Sequence, residues 1–180
     1  MAITVSEIEG APAAWPVVTA YARAATLDPY EPDVSNAAVW QRIEAWVSTR
    51  WTARNVVYLA EGPGDWKSRL YPFTPTKTEV WAGTGWIDAV LAPTPFGDLY
   101  LAQDHAYRIT GTVGDDSTPP DVVQEAWRRL HSYMVGNASA TLDGLARHSS
   151  DTHEAPRGFG AKAMQLSGAA DLLRPYRGLA

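Results

Sequence analysis

The stretch HAYRITGTVGDDSTPPDVVQEAWRRL, residues 105–130, changes its period half-way along. From His105 to Gly114 aromatic and β-branched residues mix with small and polar ones, the composition of an antiparallel strand. From Asp121 the apolar residues Val122, Val123, Ala126, Trp127 and Leu130 return at helical spacing, and Tyr133 and Met134 continue the face. Pro119 and Pro120 suit a first turn, Thr118 suits a cap, and the early acids Asp121 and Glu125 suit the positive end of a helix. Arg128, Arg129 and Ser132 then face water. A strand, a glycine turn and a long helix in direct succession predict a mixed α+β protein.

Working back toward the N-terminus, NVVYLAEG, TEVWAG, WIDAVLA and DLYLA are short runs rich in Val, Ile, Leu, Tyr and Trp. The clusters GPGD, FTPT and APTPFGD separate them, which predicts antiparallel strands joined by turns over residues 55–113. Ahead of them, Ser35 or Asn36 can cap a helix at about 37–51 whose stripe is Trp40, Ile43, Val47 and Trp51. A first helix is expected in PAAWPVVTAYARAATL, residues 12–27, with Val17, Val18, Tyr21 and Ala25 on one face. The prolines of DPYEPD end it in a stiff loop.

Past the long helix, LARHSSDTHEAPRGFGAK reads as a polar, glycine-bearing connector. The chain closes in SGAADLLRPYRGLA, residues 167–180, where a helix from about Lys162 to Leu173 stops at Pro175 and leaves Tyr176 and Arg177 beyond it. The expected fold is a small helical bundle with an inserted antiparallel β-module and an extended C-terminal arm ending in a short helix. The expected division is a body over 1–146 and a linker with docking helix over 147–180.

The 180 residues carry a net charge of −5 and no cysteine. Acidity argues against a general nucleic-acid binder, and the missing thiols exclude disulfides, thiolate zinc sites and cysteine nucleophiles. Residues 147–180 reverse the sign, with Arg147, Arg157, Lys162, Arg174 and Arg177 against three acids. No apolar run approaches a membrane span, and MAITVSEIEG lacks the layout of a secretory leader. No nucleophile elbow is present. RGFGAK lacks the glycine–lysine–serine/threonine ending of a phosphate loop, and AGTGW is a turn between strands. His148, Asp151, His153 and Glu154 could gather around a metal, but their spacing fits no helical face. His105 and His131 read as structural. The expectation is no enzyme, with no catalytic, cofactor or metal residues. Trp66, Trp81 and Trp86 in the β-module leave an alternative: a cytosolic β-module that binds a small ligand or carbohydrate through exposed tryptophans.

Tyr107–Leu130 and Leu172–Arg177, in this order and spacing, resemble the head–tail connector (adaptor) proteins of long-tailed bacteriophages and gene transfer agents. Members of that family are similar in their strand, glycine turn, prolines and helix, and in a terminal LL-x-PYR run. The resemblance implies a virion protein at the head–tail junction, synthesised in the bacterial cytoplasm. It would form a ring, commonly of twelve copies, between the portal and the tail-proximal stopper. DNA would pass through the channel without specific binding, and neither cofactor nor membrane is involved. The implied portal contacts are Leu172, Leu173, Pro175, Tyr176 and Arg177.

Overall fold

Strict alternation of buried side chains with half-buried or exposed ones runs through NVVYLAE and AYRITGTV, and these become central strands of a five-stranded antiparallel sheet. In the computed structural model, residues 2–21, 34–95, 97–147 and 162–178 are described, side chains of 139–147 excepted. The strands are β1 (Ile3–Glu9), β2 (Arg54–Glu61), β3 (Gly64–Trp66), β4 (Phe73–Trp81), β5 (Trp86–Asp88), β6 (Ala92–Pro93), β7 (Leu99–Leu101) and β8 (Ala106–Val113). The helices are α1 (Asn36–Trp46), α2 (Asp121–Arg147), α3 (Ala163–Leu166) and α4 (Ala169–Leu172), followed by a 3-10 turn at Arg174–Tyr176. The fold is α+β. Two compact units divide the chain: Met1–Ala14 with Ser48–Ser117, and Trp15–Val47 with Thr118–Ala180. This differs from the 1–146 and 147–180 division that composition suggested, because the N-terminal residues join the sheet and the C-terminal residues join the helices.

In the sheet unit the strand order is β1-β2-β8-β4-β5, with a three-stranded sheet β3-β7-β6 beside it. Val56, Tyr58 and Ala60 of β2 and Tyr107, Ile109 and Val113 of β8 form a core with Ala2, Trp66, Leu70 and Leu101. Tyr58, Trp66 and Phe73 meet edge to face, with ring centroids 5.1–5.9 Å apart. Burial pushes the Tyr58 phenol up to about 12, and Ser68 donates a 3.0 Å hydrogen bond to its oxygen. Trp66 is therefore core, and its indole N–H donates to Thr4 Oγ1 of β1 at 2.9 Å. Glu9 of the same strand pairs with the buried guanidinium groups of Arg50 and Arg54, at 2.6 and 3.2 Å. These two links tie the N-terminal strand to the sheet.

Gly111 of β8 lies opposite Pro75 of its antiparallel neighbour β4, next to a register shift. A Cβ there would stand 2.4 Å from the Phe73 ring and 2.5 Å from the Thr74 carbonyl. Gly111→Ala is expected to destabilise the sheet unit by about 1–3 kcal/mol, as overpacking does, read as a lower denaturation midpoint. An unchanged midpoint would show that the strand spacing relaxes without cost.

In the helical unit Ser35 caps α1, its hydroxyl accepting from the Ala38 N–H at 3.2 Å. Val39, Trp40 and Ile43 are buried, and Trp40 donates to the Pro16 carbonyl at 2.8 Å. The stripe does not continue to Trp51. The helix ends at Trp46, Val47 is its extended C-cap, and Trp51, though buried, belongs to the sheet unit. Residues 16–21 of the expected first helix are not helical, and 22–33 lie outside the described residues. Asn36 and Trp40 both hold the Pro16 carbonyl, which fixes this segment in a non-helical path.

The long helix α2 begins at Asp121, so the Pro120 carbonyl rather than Thr118 takes the first helical N–H groups. Val123, Ala126, Trp127, Leu130 and Val135 are buried. Val122 is exposed, Tyr133 and Met134 are half-buried, and Arg128 is drawn in to donate to the Thr19 carbonyl at 3.1 Å. Both α3 and α4 pack on α2. The single terminal helix expected over 162–173 is thus two short ones, broken at Gly168, whose φ of 74° interrupts the helical run.

Candidate interaction surface

Two groups of side chains stand out, one in each unit. The first lies on the sheet face opposite the core. Cross-strand register places Glu79 against Arg108 and against Asp88, and Trp81 against Trp86. Arg108 donates to both Glu79 oxygens, Nε at 2.6 Å and Nη2 at 2.8 Å, in a fork that fixes its plane. Lys77 Nζ bridges Glu79 at 2.8 Å and Asp88 at 3.2 Å. The Arg108 guanidinium lies 4.8 Å over the Trp86 ring, and Trp86 meets Trp81 edge to face at 5.4 Å. Glu79 is only 4% exposed beneath these neighbours, whereas Trp81 is 40% exposed.

Hydrogen bonds from Arg108, then Lys77, hold the Glu79 carboxyl down to about 2 from its ordinary 4.5. The folded state thus prefers the ionised carboxylate. Its contribution to stability is complete above about pH 4.5 and is lost as pH falls toward 2. Denaturation midpoints measured across that window should drop for the parent chain and drop less for Glu79→Gln. Equal acid dependence in the two proteins would remove Glu79 from the account.

The second group is the C-terminal tip. Of the residues that the resemblance implies as portal contacts, Leu173 is 0% exposed and Leu172 is half-buried. Pro175 and Arg177 are exposed, and Tyr176 is half-buried. Ala163, Met164, Ala169 and Leu173 bury the apolar side of the segment, so residues 162–178 lie on the helical unit rather than extending from it. The reason is physical: four-residue helices have no stability of their own and persist by packing. The Arg177 guanidinium stacks 4.5 Å over the Trp46 ring at the end of α1. Lys162, Arg174 and Arg177 have no salt bridge among the described residues.

The remaining candidates from the sequence fall outside both groups. His148, Asp151, His153, Glu154 and most of RGFGAK lie outside the described residues. Among the described residues no three His, Asp or Glu side chains gather as a metal site, and no helix is long and apolar enough to cross a membrane. His131 stacks on Trp127 at 4.8 Å, and AGTGW is the β4–β5 turn, closed by the Ala82 N–H to the Gly85 carbonyl. The Glu79–Arg108 pair was not evident from sequence, since its members lie 29 positions apart and only strand register joins them. In comparisons with known proteins, no family model, no curated protein and no solved structure matches the chain significantly.

Proposed function

We propose that the protein is a structural head–tail connector, an adaptor that joins the portal of a phage-like particle to the tail-proximal stopper. It acts as a homo-oligomeric ring, commonly of twelve copies, around the DNA channel, and it carries out no reaction and uses no cofactor. The helical elements are its small bundle, α2 the central member, and seven of the eight strands lie between α1 and α2, with β1 joining them from the N-terminal side of α1.

The observation that carries this reading is the tip. Leu173 is buried on the bundle while Arg174, Pro175 and Arg177 are exposed, a basic, proline-stiffened segment whose Arg177 guanidinium lies over Trp46. Tyr and Arg are the residue types that most often anchor interfaces. The contact with the portal is therefore made chiefly by Pro175, Tyr176 and Arg177, with Leu172 at its margin and Leu173 holding the tip in place. The acidic balance of the chain suits a channel through which phosphate backbones slide without being held.

Purified protein mixed with portal-bearing, tail-less capsids tests this. The parent chain should attach, and Arg174→Glu with Arg177→Glu should lose attachment while keeping its circular dichroism and melting temperature. Equal occupancy by the folded double variant, or no attachment by the parent, would overturn the reading.

A further inference from the structure

We propose that the face around Trp81 is a binding site for a neutral saccharide, separate from the C-terminal tip and independent of the connector reading. Its aromatic floor is preorganised. Arg108 covers one face of Trp86 at 4.8 Å, Glu79 locks Arg108 from below through both carboxylate oxygens, and Trp86 holds Trp81 at 5.4 Å. A ring held in this way loses little conformational freedom when something stacks on it.

The chemistry around the floor selects the ligand. Two carboxylates, Glu79 and Asp88, face two cations, Lys77 and Arg108, so the face carries no net charge to draw a phosphate or a polyamine. The Asp88 side chain is 82% exposed and the Lys77 side chain 53% exposed, which leaves an acceptor and a donor open to solvent on the same face. The turn from Ala82 to Gly85 stands in open space, since Cβ positions at Gly83 and Gly85 would meet nothing within 4 Å. An open indole with polar groups at its margin and no net charge matches a sugar ring. One side of a pyranose offers C–H groups to an aromatic face, and its rim offers hydroxyls that both donate and accept.

The test is calorimetric titration of the full chain with short oligomers of β-1,4-linked glucose, α-1,4-linked glucose and β-1,4-linked N-acetylglucosamine. At least one should bind saturably. Trp81→Ala should weaken it about tenfold, equivalent to about 1.4 kcal/mol, and Asp88→Asn should weaken it less. Trp81 lies at an exposed strand end, so both variants should keep the parent's circular dichroism. No heat with any of the three sugars at about 10 mM, a regime of millimolar or weaker affinity, would overturn the proposal. So would parent-like binding by Trp81→Ala. If Trp81→Ala instead changes self-association or capsid attachment while no sugar binds, the face is a protein interface. Capsid attachment unchanged in a variant that loses sugar binding would leave the connector reading standing.

Discussion

Trp127→Ala is expected to cost the helical unit about 3–5 kcal/mol, the range for emptying a large aromatic from a core. Trp127 is 3% exposed on the buried side of α2, and its ring stacks on His131 with only 11° between the planes. Alanine would remove that contact and leave a cavity beside Val123 and Leu130, its neighbours on the same helical face. The indole N–H has no hydrogen-bond partner among the described residues, so it contributes nothing that phenylalanine would lose. Trp127→Phe should therefore cost only about 1–2 kcal/mol, the area term for a smaller ring. Chemical denaturation separates the two variants. A loss for Phe well above about 2 kcal/mol would mean that the indole N–H is satisfied after all, and no loss for Ala would mean that Trp127 is not core.

Leu173→Ala is expected to cost about 2–5 kcal/mol, while Arg177→Ala should change stability by no more than about 1 kcal/mol. Leu173 is fully buried where the terminal segment meets the helical unit, whereas the Arg177 guanidinium makes an exposed contact with the Trp46 ring. Deleting residues 162–180 should go further, since it strips Ala163, Met164, Ala169 and Leu173 from α2 together. A melt of the truncated chain that overlays the parent would show that the segment is a free arm, as its sequence suggests. Under the connector reading proposed above, the pair of point variants also separates structure from attachment: Leu173→Ala should weaken capsid binding through lost folding, Arg177→Ala without it.

Local repetition made part of this protein legible. Period-two alternation identifies β2 and β8, and the 3.6-residue return of Val123, Ala126, Trp127 and Leu130 identifies α2, because each pattern records which side of its own element is buried. The first strand is not legible in the sequence, because its register slips between Thr4 and Ser6 and breaks the alternation that marks a strand. The spacing of Trp51 from Val47 mimicked a helical stripe, yet the chain leaves the helix at Val47 and gives Trp51 to the sheet unit. The terminal segment looked detachable because a proline, a short apolar run and a polar connector are what a mobile arm also contains.

Composition and periodicity by themselves determined that this chain mixes helix with antiparallel sheet, where its principal strands lie, and that a long helix starts near Pro119 and Pro120. Only tertiary structure decided which strands are neighbours, that Trp66 is core while Trp81 is exposed, and that Leu173 is spent on the helical unit. It also decided that Glu79, Arg108, Trp86 and Trp81 form one braced face. The reason is range. A period reports on burial within one element, whereas the pairing of Glu79 with Arg108 and the seating of Leu173 depend on contacts between residues far apart in the chain, which no local pattern encodes.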